Sequence, residues 1–350
     1  MKVDNKEIGK SPFEFLMTIN FVATAGFMKM LNKSTLYERM GKICDQIKKK
    51  DPHTDFRVIE KLGKGGFGAV YLVQHIKSKK HFAMKEIAPS DDADLEDTLT
   101  EIALQNMASK GHKNIIGINK SYEWNEKGVD KFYLIMEWMD AGDLSTMLKT
   151  IPGKFSEEVI VYIIREILSA LFHMHQNNQI HRDLKPLNVM LTTDGKIKLG
   201  DFGLAAQLVN DEYYQKEIKG TPKWMAPEIL ITKPYNELAD IWSLGIIAYE
   251  LAIGQNPYQG MTLNRIMYTA KNSPAPKIKD SHGKFSQEFL DFVNNKCLVK
   301  NPAKRADCYD LLAHPLLTKL YPDQDDLFDH YLMHLTDYMN TPKFKQKLQN

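Results

Sequence analysis

The run His181-Arg182-Asp183-Leu184-Lys185-Pro186-Leu187-Asn188 places a carboxylate, a lysine and an amide in one short polar stretch between apolar segments. Asp201-Phe202-Gly203 follows, behind the apolar strand-like segment Lys196-Ile197-Lys198-Leu199. A carboxylate such as Asp183 suits the alignment of a hydroxyl nucleophile and late acceptance of its proton. Lys185 can neutralise charge on a transferred phosphoryl group, Asn188 offers an amide oxygen, and Asp201 offers a carboxylate. Mg²⁺ takes a few such oxygens together with phosphates. Charged groups in so apolar a setting are costly without a partner ion, so these residues predict a centre for phosphoryl chemistry.

Earlier in the chain the matching pieces occur in order. Gly63-Lys64-Gly65-Gly66-Phe67-Gly68-Ala69-Val70 lies between two β-like runs. Glycines there let backbone amides approach phosphate oxygens without obstruction. Alone this signal is weak, because a glycine-rich hairpin can be merely a turn. It also lacks the strand-to-helix setting of a dinucleotide fingerprint and the trailing Lys-Ser/Thr of a P-loop. Ala83-Met84-Lys85 then puts a lysine on a strand within reach of the hairpin, and Glu101, inside the following helix, is its natural partner.

The whole set resembles the eukaryotic-type serine/threonine protein kinases over residues 56–317. The resemblance rests on the glycine loop, strand lysine, helix glutamate, His-Arg-Asp segment, Asp-Phe-Gly and Ala226-Pro227-Glu228, in the family's order. Gly220-Thr221-Pro222-Lys223-Trp224-Met225 and the closing His314-Pro315-Leu316-Leu317 are similar to the sterile-20-like group. Leu199-Gly200-Asp201 is similar to the NIMA-related kinases, the second choice.

The resemblance implies an α+β, bilobal fold with a β-rich N-lobe bearing one helix, a mostly helical C-lobe, and flanking helical extensions. The domains expected are a helical extension over 1–55, a kinase domain over 56–317 and a helical tail over 318–350. Within the kinase domain the N-lobe spans 56–137, the hinge 138–142 and the C-lobe 143–317. Implied ATP contacts are Leu62, Gly63, Lys64, Gly65, Gly66, Phe67, Gly68, Val70, Ala83, Lys85, Glu101, Met136, Glu137, Met139, Asp143 and Met190. Glu137-Trp138-Met139 form the hinge, with Met136 guarding the rear of the adenine pocket. Asp183 and Lys185 are the catalytic pair, Asn188 and Asp201 the metal ligands, with ATP and Mg²⁺ (Mn²⁺ as an alternative) as cofactors. Asp240 is expected to steady the His-Arg-Asp backbone, and Glu228 to pair with Arg305.

Lys185 and Thr221 follow the serine/threonine pattern, and Leu204 directly after Asp-Phe-Gly goes with serine over threonine in the family. Leu187 stands where basophilic kinases often carry glutamate, which argues against strong arginine selection. The implied function is ATP-dependent phosphorylation of protein substrates in signalling. The alternative is a nucleotide-binding pseudokinase or a scaffold working through its flanking helices.

Three departures from the family pattern stand out. No serine or threonine occurs from Leu204 to Gly220, where Tyr213 and Tyr214 are the only hydroxyls. Glu217 occupies the place of the usual phosphorylated threonine and is expected to pair with Arg182. Gln105, four residues past Glu101, replaces an apolar residue behind Asp-Phe-Gly, which predicts a looser active arrangement.

Outside the kinase-like region, the uncharged run Phe15 to Met28 is too short to span a membrane, and apolar residues from Phe15 to Leu31 follow helical spacing. A helix docked on protein explains it better than an export signal. A second helix is expected from Thr35 and Glu38, with Leu36, Met40, Ile43 and Ile47 on one face. Lys48-Lys49-Lys50 would sit at its negative end, and Asp51-Pro52 would stop it. The tail repeats a helical pattern at Leu327, Phe328, Tyr331, Leu335, Tyr338 and Met339. These helices are expected to dock on the kinase domain or to form a homodimer.

Composition fits a soluble globular chain. Of 350 residues, 43% are hydrophobic and 26% charged, and the net charge of +2 gives no field for nucleic acid or acidic lipid. Membrane association is not expected. Cys44, Cys297 and Cys308 lack metal-ligand spacing, which suits a reducing, cytoplasmic setting with nuclear entry left open.

Overall fold

The computed structural model describes residues 38, 41–43, 45–65, 68–150, 155–208, 214–279, 283–321, 333, 335–337 and 340. The expected helix over residues 15–31, the capping residue Thr35, Leu36 and Met40, and the ATP contacts Gly66 and Phe67 lie outside them. So do Leu327, Phe328, Tyr331, Tyr338 and Met339 of the tail.

The first lobe is a six-stranded sheet built from β1 (Lys48–Lys49), β2 (Phe56–Gly65), β3 (Gly68–His75), β4 (His81–Ile87), β5 (Ile118–Glu126) and β6 (Val129–Glu137). Their spatial order is β1-β5-β6-β4-β3-β2. Helix α1 (Asp92–Ser109) joins β4 to β5, its N-terminus capped by Asp91, which accepts from Asp94 N–H. Acidic residues in that first turn complement the helix dipole.

Successive residues of a strand face opposite sides, and β6 uses both. Tyr133 and Ile135 join Phe56, Val73, Met84 and Tyr122 on one face. Phe132 and Leu134 join Ile87 and Ile102 of α1 on the other. Sequential hydrophobicity over residues 132–135 therefore marks a strand buried on both faces.

The second lobe follows through α2 (Leu144–Thr150), α3 (Glu157–Gln176), β7 (Gln179–Ile180), β8 (Val189–Leu191), β9 (Ile197–Leu199), β10 (Ala206–Gln207), α4 (Pro227–Leu230), α5 (Leu238–Ile253), α6 (Leu263–Asn272), α7 (Gln287–Asp291) and α8 (Cys308–Leu312). Helix α5 is apolar nearly all round and lies in the middle of the main core with α3, as such a helix must. Gly254, in the left-handed region at φ 83°, ends it. Leu335 of the tail is fully buried in this same core.

One expectation about the fold is corrected. The second N-terminal helix does not run to the lysine triplet. Residues 41–43 are helical, but Lys48 and Lys49 form β1, paired in parallel with Tyr122 and Glu123. The open edge of β5 satisfies their backbone groups, and the Lys48 ammonium sits 5.9 Å from the Tyr122 ring centroid. Helix α7 continues into a π-helical turn over Phe292–Cys297. Helix α6 buries only Ile266 and Ala270, too small an apolar face to be read from sequence. Among the described residues no helix is long and apolar enough to cross a membrane.

Candidate active site

Strand pairing brings the residues of the cleft together. Val70 stands beside Lys85, Gly63 beside Val70, and Ala83 beside Met136. Asp143 and Met190 form an isolated bridge, which sets the start of α2 against β8. Met139 is buried, whereas Leu62 is exposed at the rim. Gly68 cannot be replaced cheaply: its φ is 133° and an added Cβ would lie 1.9 Å from Glu86 O. Glu137 is bound to Lys198 at 2.8 Å and accepts from Gly117 N–H at 3.4 Å, so it ties the start of the hinge to β9.

Lys85 is buried and donates to Glu101 at 2.5 Å and to Asp201 at 3.4 Å. Burial disfavours its charge, but the Glu101 and Asp201 carboxylates outweigh it, and its pKa is raised above the ordinary lysine value. For Asp201 burial also opposes the charge, yet Lys85, His181 and Lys185 hold its carboxyl below the usual range. Both groups stay ionised, a cation between two carboxylates.

Asp183 is the focus of the second cluster. Its carboxylate accepts from Lys185 Nζ at 2.5 Å, Thr221 Oγ1 at 2.7 Å and Asn188 Nδ2 at 3.3 Å. Lys185 also donates to Thr221 Oγ1 at 2.9 Å. Asn188 Nδ2 donates to the Asp183 carbonyl at 2.8 Å, which leaves the amide oxygen as its remaining acceptor. With the Asp201 carboxylate this is a donor set of hard oxygens, which fits Mg²⁺.

The catalytic loop is held from behind. Asp240, fully buried at the start of α5, accepts from His181 N–H at 2.9 Å and Arg182 N–H at 3.0 Å. His175 of α3 meets the same carboxylate at 3.0 Å. Burial works against the Asp240 charge, but His175 and His181 bring its carboxyl below the usual range. Arg182 and Asp201 both sit at positive φ, 66° and 60°, backbone conformations that concentrate at functional sites. Farther out, Arg305 and Glu228 form a two-pronged buried ion pair at 2.7 and 2.9 Å.

Other partners carried no signal in the sequence. His175, Gln215 and Tyr235 belong to no recognisable motif, and only the fold sets them against Asp240 and the segment after Asp201. The expected pairing of Glu217 with Arg182 is present, at the outer limit of an ion pair. Arg182 donates to Leu204 O at 2.5 Å, Ala205 O at 3.2 Å and Gln215 Oε1 at 3.3 Å. Glu217, 63% exposed, is bound to Lys219 at 3.0 Å and lies 4.0 Å from Arg182. Gln105, expected to loosen the site, is anchored: its Nε2 donates to Ile116 O at 3.0 Å and lies 3.6 Å from Met136 Sδ.

Comparison with known proteins agrees with this geometry. The protein kinase domain family matches residues 56–317. The chain is similar to serine/threonine-protein kinase pakC of Dictyostelium discoideum, 34% identical over 319 residues that cover 90% of this chain and 65% of the relative. It is similar also to serine/threonine-protein kinase ppk11 of Schizosaccharomyces pombe, 37% identical over 268 residues that cover 77% of this chain and 83% of the relative. Just under two thirds of the first relative's length is thus spanned. With cleft, lysine–glutamate pair and catalytic loop in place, the chain belongs to the protein kinase family, as a serine/threonine protein kinase of eukaryotic type.

Proposed function

We propose that this chain phosphorylates protein substrates, with a serine hydroxyl preferred as acceptor and Asp183 as the group that aligns it. The observation that carries this reading is the convergence of Lys185, Thr221 and Asn188 on the Asp183 carboxylate. A carboxylate held by three donors is fixed in orientation, and fixed orientation is what an incoming hydroxyl needs, since phosphoryl transfer is mainly alignment and electrostatics. Thr221 Oγ1 donates to Asp183 and accepts from Lys185, so one hydroxyl sets the spacing of both. Lys85 and Lys185 would neutralise charge on phosphate oxygens. Asp201 and Asn188 would hold Mg²⁺, which supplies charge neutralisation and alignment of the phosphates. Leu204, the residue after Asp-Phe-Gly, supports serine over threonine. The segments at 220–228 and 314–317 support a sterile-20-like assignment.

Lys85, Asp183, Asn188 and Asp201 are all present, and this argues against a pseudokinase. Phosphate transfer from ATP to casein and to serine- and threonine-acceptor peptides tests the proposal. Asp183→Asn should lower kcat by about 10²–10⁴-fold with ATP affinity nearly kept. Equal rates for Asp183→Asn and the unaltered chain would overturn the role given to Asp183.

A further inference from the structure

The segment that precedes the matched domain is built into the lobe that carries Lys85. Residues 41–43 are helical, Asp45 N–H donates to Gly41 O at 2.9 Å, and the chain then enters β1 beside β5. Ile43 and Ile47, four residues apart, pack against Ile87, Ile102, Phe132 and Leu134. Leu95 and Leu99 of α1 pack against that same cluster. Leu95, Leu99 and Ile102 recur at helical spacing and so share one face of α1. Glu101, beside Ile102, reaches from that helix to Lys85.

The segment is also tied down beyond its apolar contacts. Lys50 binds Asp55 at 2.8 Å, and Asp55 accepts from the hydroxyl of Tyr122 at 2.7 Å. Tyr122 is the β5 residue paired with Lys48. Lys50 and Tyr122 hold the Asp55 carboxyl at a pKa of about 2, well below its ordinary range. One end of the segment is thus fixed to the sheet, and the isoleucines are pressed onto the cluster beneath α1.

We propose that residues 41–43 and 45–50 form a strap that holds α1 where Glu101 pairs with Lys85, with Ile43 and Ile47 as positioning residues for phosphoryl transfer. The proposal rests on the kinase reading of the cleft. A helix can rotate or shift when one of its packing faces is lost, and the Lys85–Glu101 pair would be the first contact to open. Activity would then depend on a segment that lies before the kinase domain itself.

The test uses the full chain carrying Ile43→Ala with Ile47→Ala, the conservative Ile43→Val with Ile47→Val, and separately Lys50→Glu. Backbone hydrogen exchange is followed across α1 and, as internal control, across α5, beside kcat and KM for ATP with a peptide acceptor. The strap predicts at least tenfold faster exchange in α1 for the alanine pair and unchanged exchange in α5. It also predicts a fall of fivefold or more in kcat and recovery of most of both effects in the valine pair. Lys50→Glu should shift α1 exchange in the same direction, and it decides the matter if the alanine pair does not fold. Unchanged α1 exchange, or accelerated exchange with unchanged kcat, would overturn the proposal. If the unaltered chain transfers no phosphate, the kinase reading fails, and α1 exchange alone still decides the strap.

Discussion

Gln215 and Tyr235 are joined by two backbone hydrogen bonds, Gln215 N–H to Tyr235 O at 2.8 Å and Tyr235 N–H to Gln215 O at 2.9 Å. The Tyr235 hydroxyl donates to Glu217 O at 2.8 Å, and Gln215 Oε1 accepts from Arg182. The segment after Asp201 is therefore docked on the helical lobe by contacts that require no phosphate. At Gly220, with φ 123°, an added Cβ would lie 2.4 Å from Arg182 O, so the segment also crosses the catalytic loop too closely for a side chain.

Phosphatase treatment is accordingly expected to leave most activity intact. An exposed pair such as Glu217–Lys219 contributes about 0–1 kcal/mol, so Glu217→Ala should change kcat by less than about fivefold. Gln215→Ala and Tyr235→Phe should each lower it more than Glu217→Ala does. Steady-state rates before and after dephosphorylation check this, and a phosphatase-abolished activity would refute it.

His175 lies 3.0 Å from Asp240 through Nε2 and 3.2 Å from the Cys308 thiol through Nδ1. Removing one partner of a buried charge is costly, so His175→Ala should destabilise the chain by about 3 kcal/mol. Because Asp240 holds the His181 and Arg182 amides, kcat should fall as well. Cys308→Ala removes only a weak thiol contact and should cost about 1 kcal/mol. Urea unfolding of the two variants measures the difference, and equal losses would count against the ordering.

Gln105 is 1% exposed and satisfies the Ile116 carbonyl from inside the lobe. Gln105→Leu would strand that carbonyl, at a cost of about 1–3 kcal/mol. An apolar residue there, although usual in the family, should therefore lower the melting temperature of this chain. A higher one would show that the amide is dispensable.

His112 stacks on His173 at 4.7 Å between ring centroids. Burial first, then the neighbouring His173, Lys113 and Lys198, push its pKa down from 6.5 to about 4. The folded ring stays neutral where the unfolded one binds a proton, so stability is full above pH 6.5 and declines as pH falls towards about 4. The full shift corresponds to about 3 kcal/mol, and solvent screening of this partly exposed ring reduces the expected loss to about 2 kcal/mol. His112→Gln should flatten the dependence in that window, which unfolding curves at several pH values would reveal.

The proposed chemistry was legible in the sequence because each candidate group lies in a short contiguous motif. Asp183, Lys185 and Asn188 are neighbours along the chain, and their types alone imply what they can do. Lys85 was equally readable, because it stands in a strand-like run at 81–87. Gln215, Tyr235, His175 and Cys308 are single residues outside any motif. Nothing local distinguishes them from surface or core residues, and their roles come only from which distant atoms face them. Glu217 shows the converse: its place in the motif suggested Arg182, and it meets that guanidinium at 4.0 Å, outside the nearer backbone carbonyls and Gln215.

The N-terminal lysines make the same point in energetic terms. Read alone, Lys48-Lys49-Lys50 suits a helix end, because only local electrostatics enter the estimate. In the folded chain the free edge of β5 and the Tyr122 ring, both far along the chain, and the Asp55 carboxylate just past Lys50 offer those residues better partners. Local sequence determined which groups could do the chemistry; long-range packing alone decided what holds them in register, because hydrogen-bond and apolar partners are chosen by proximity in space.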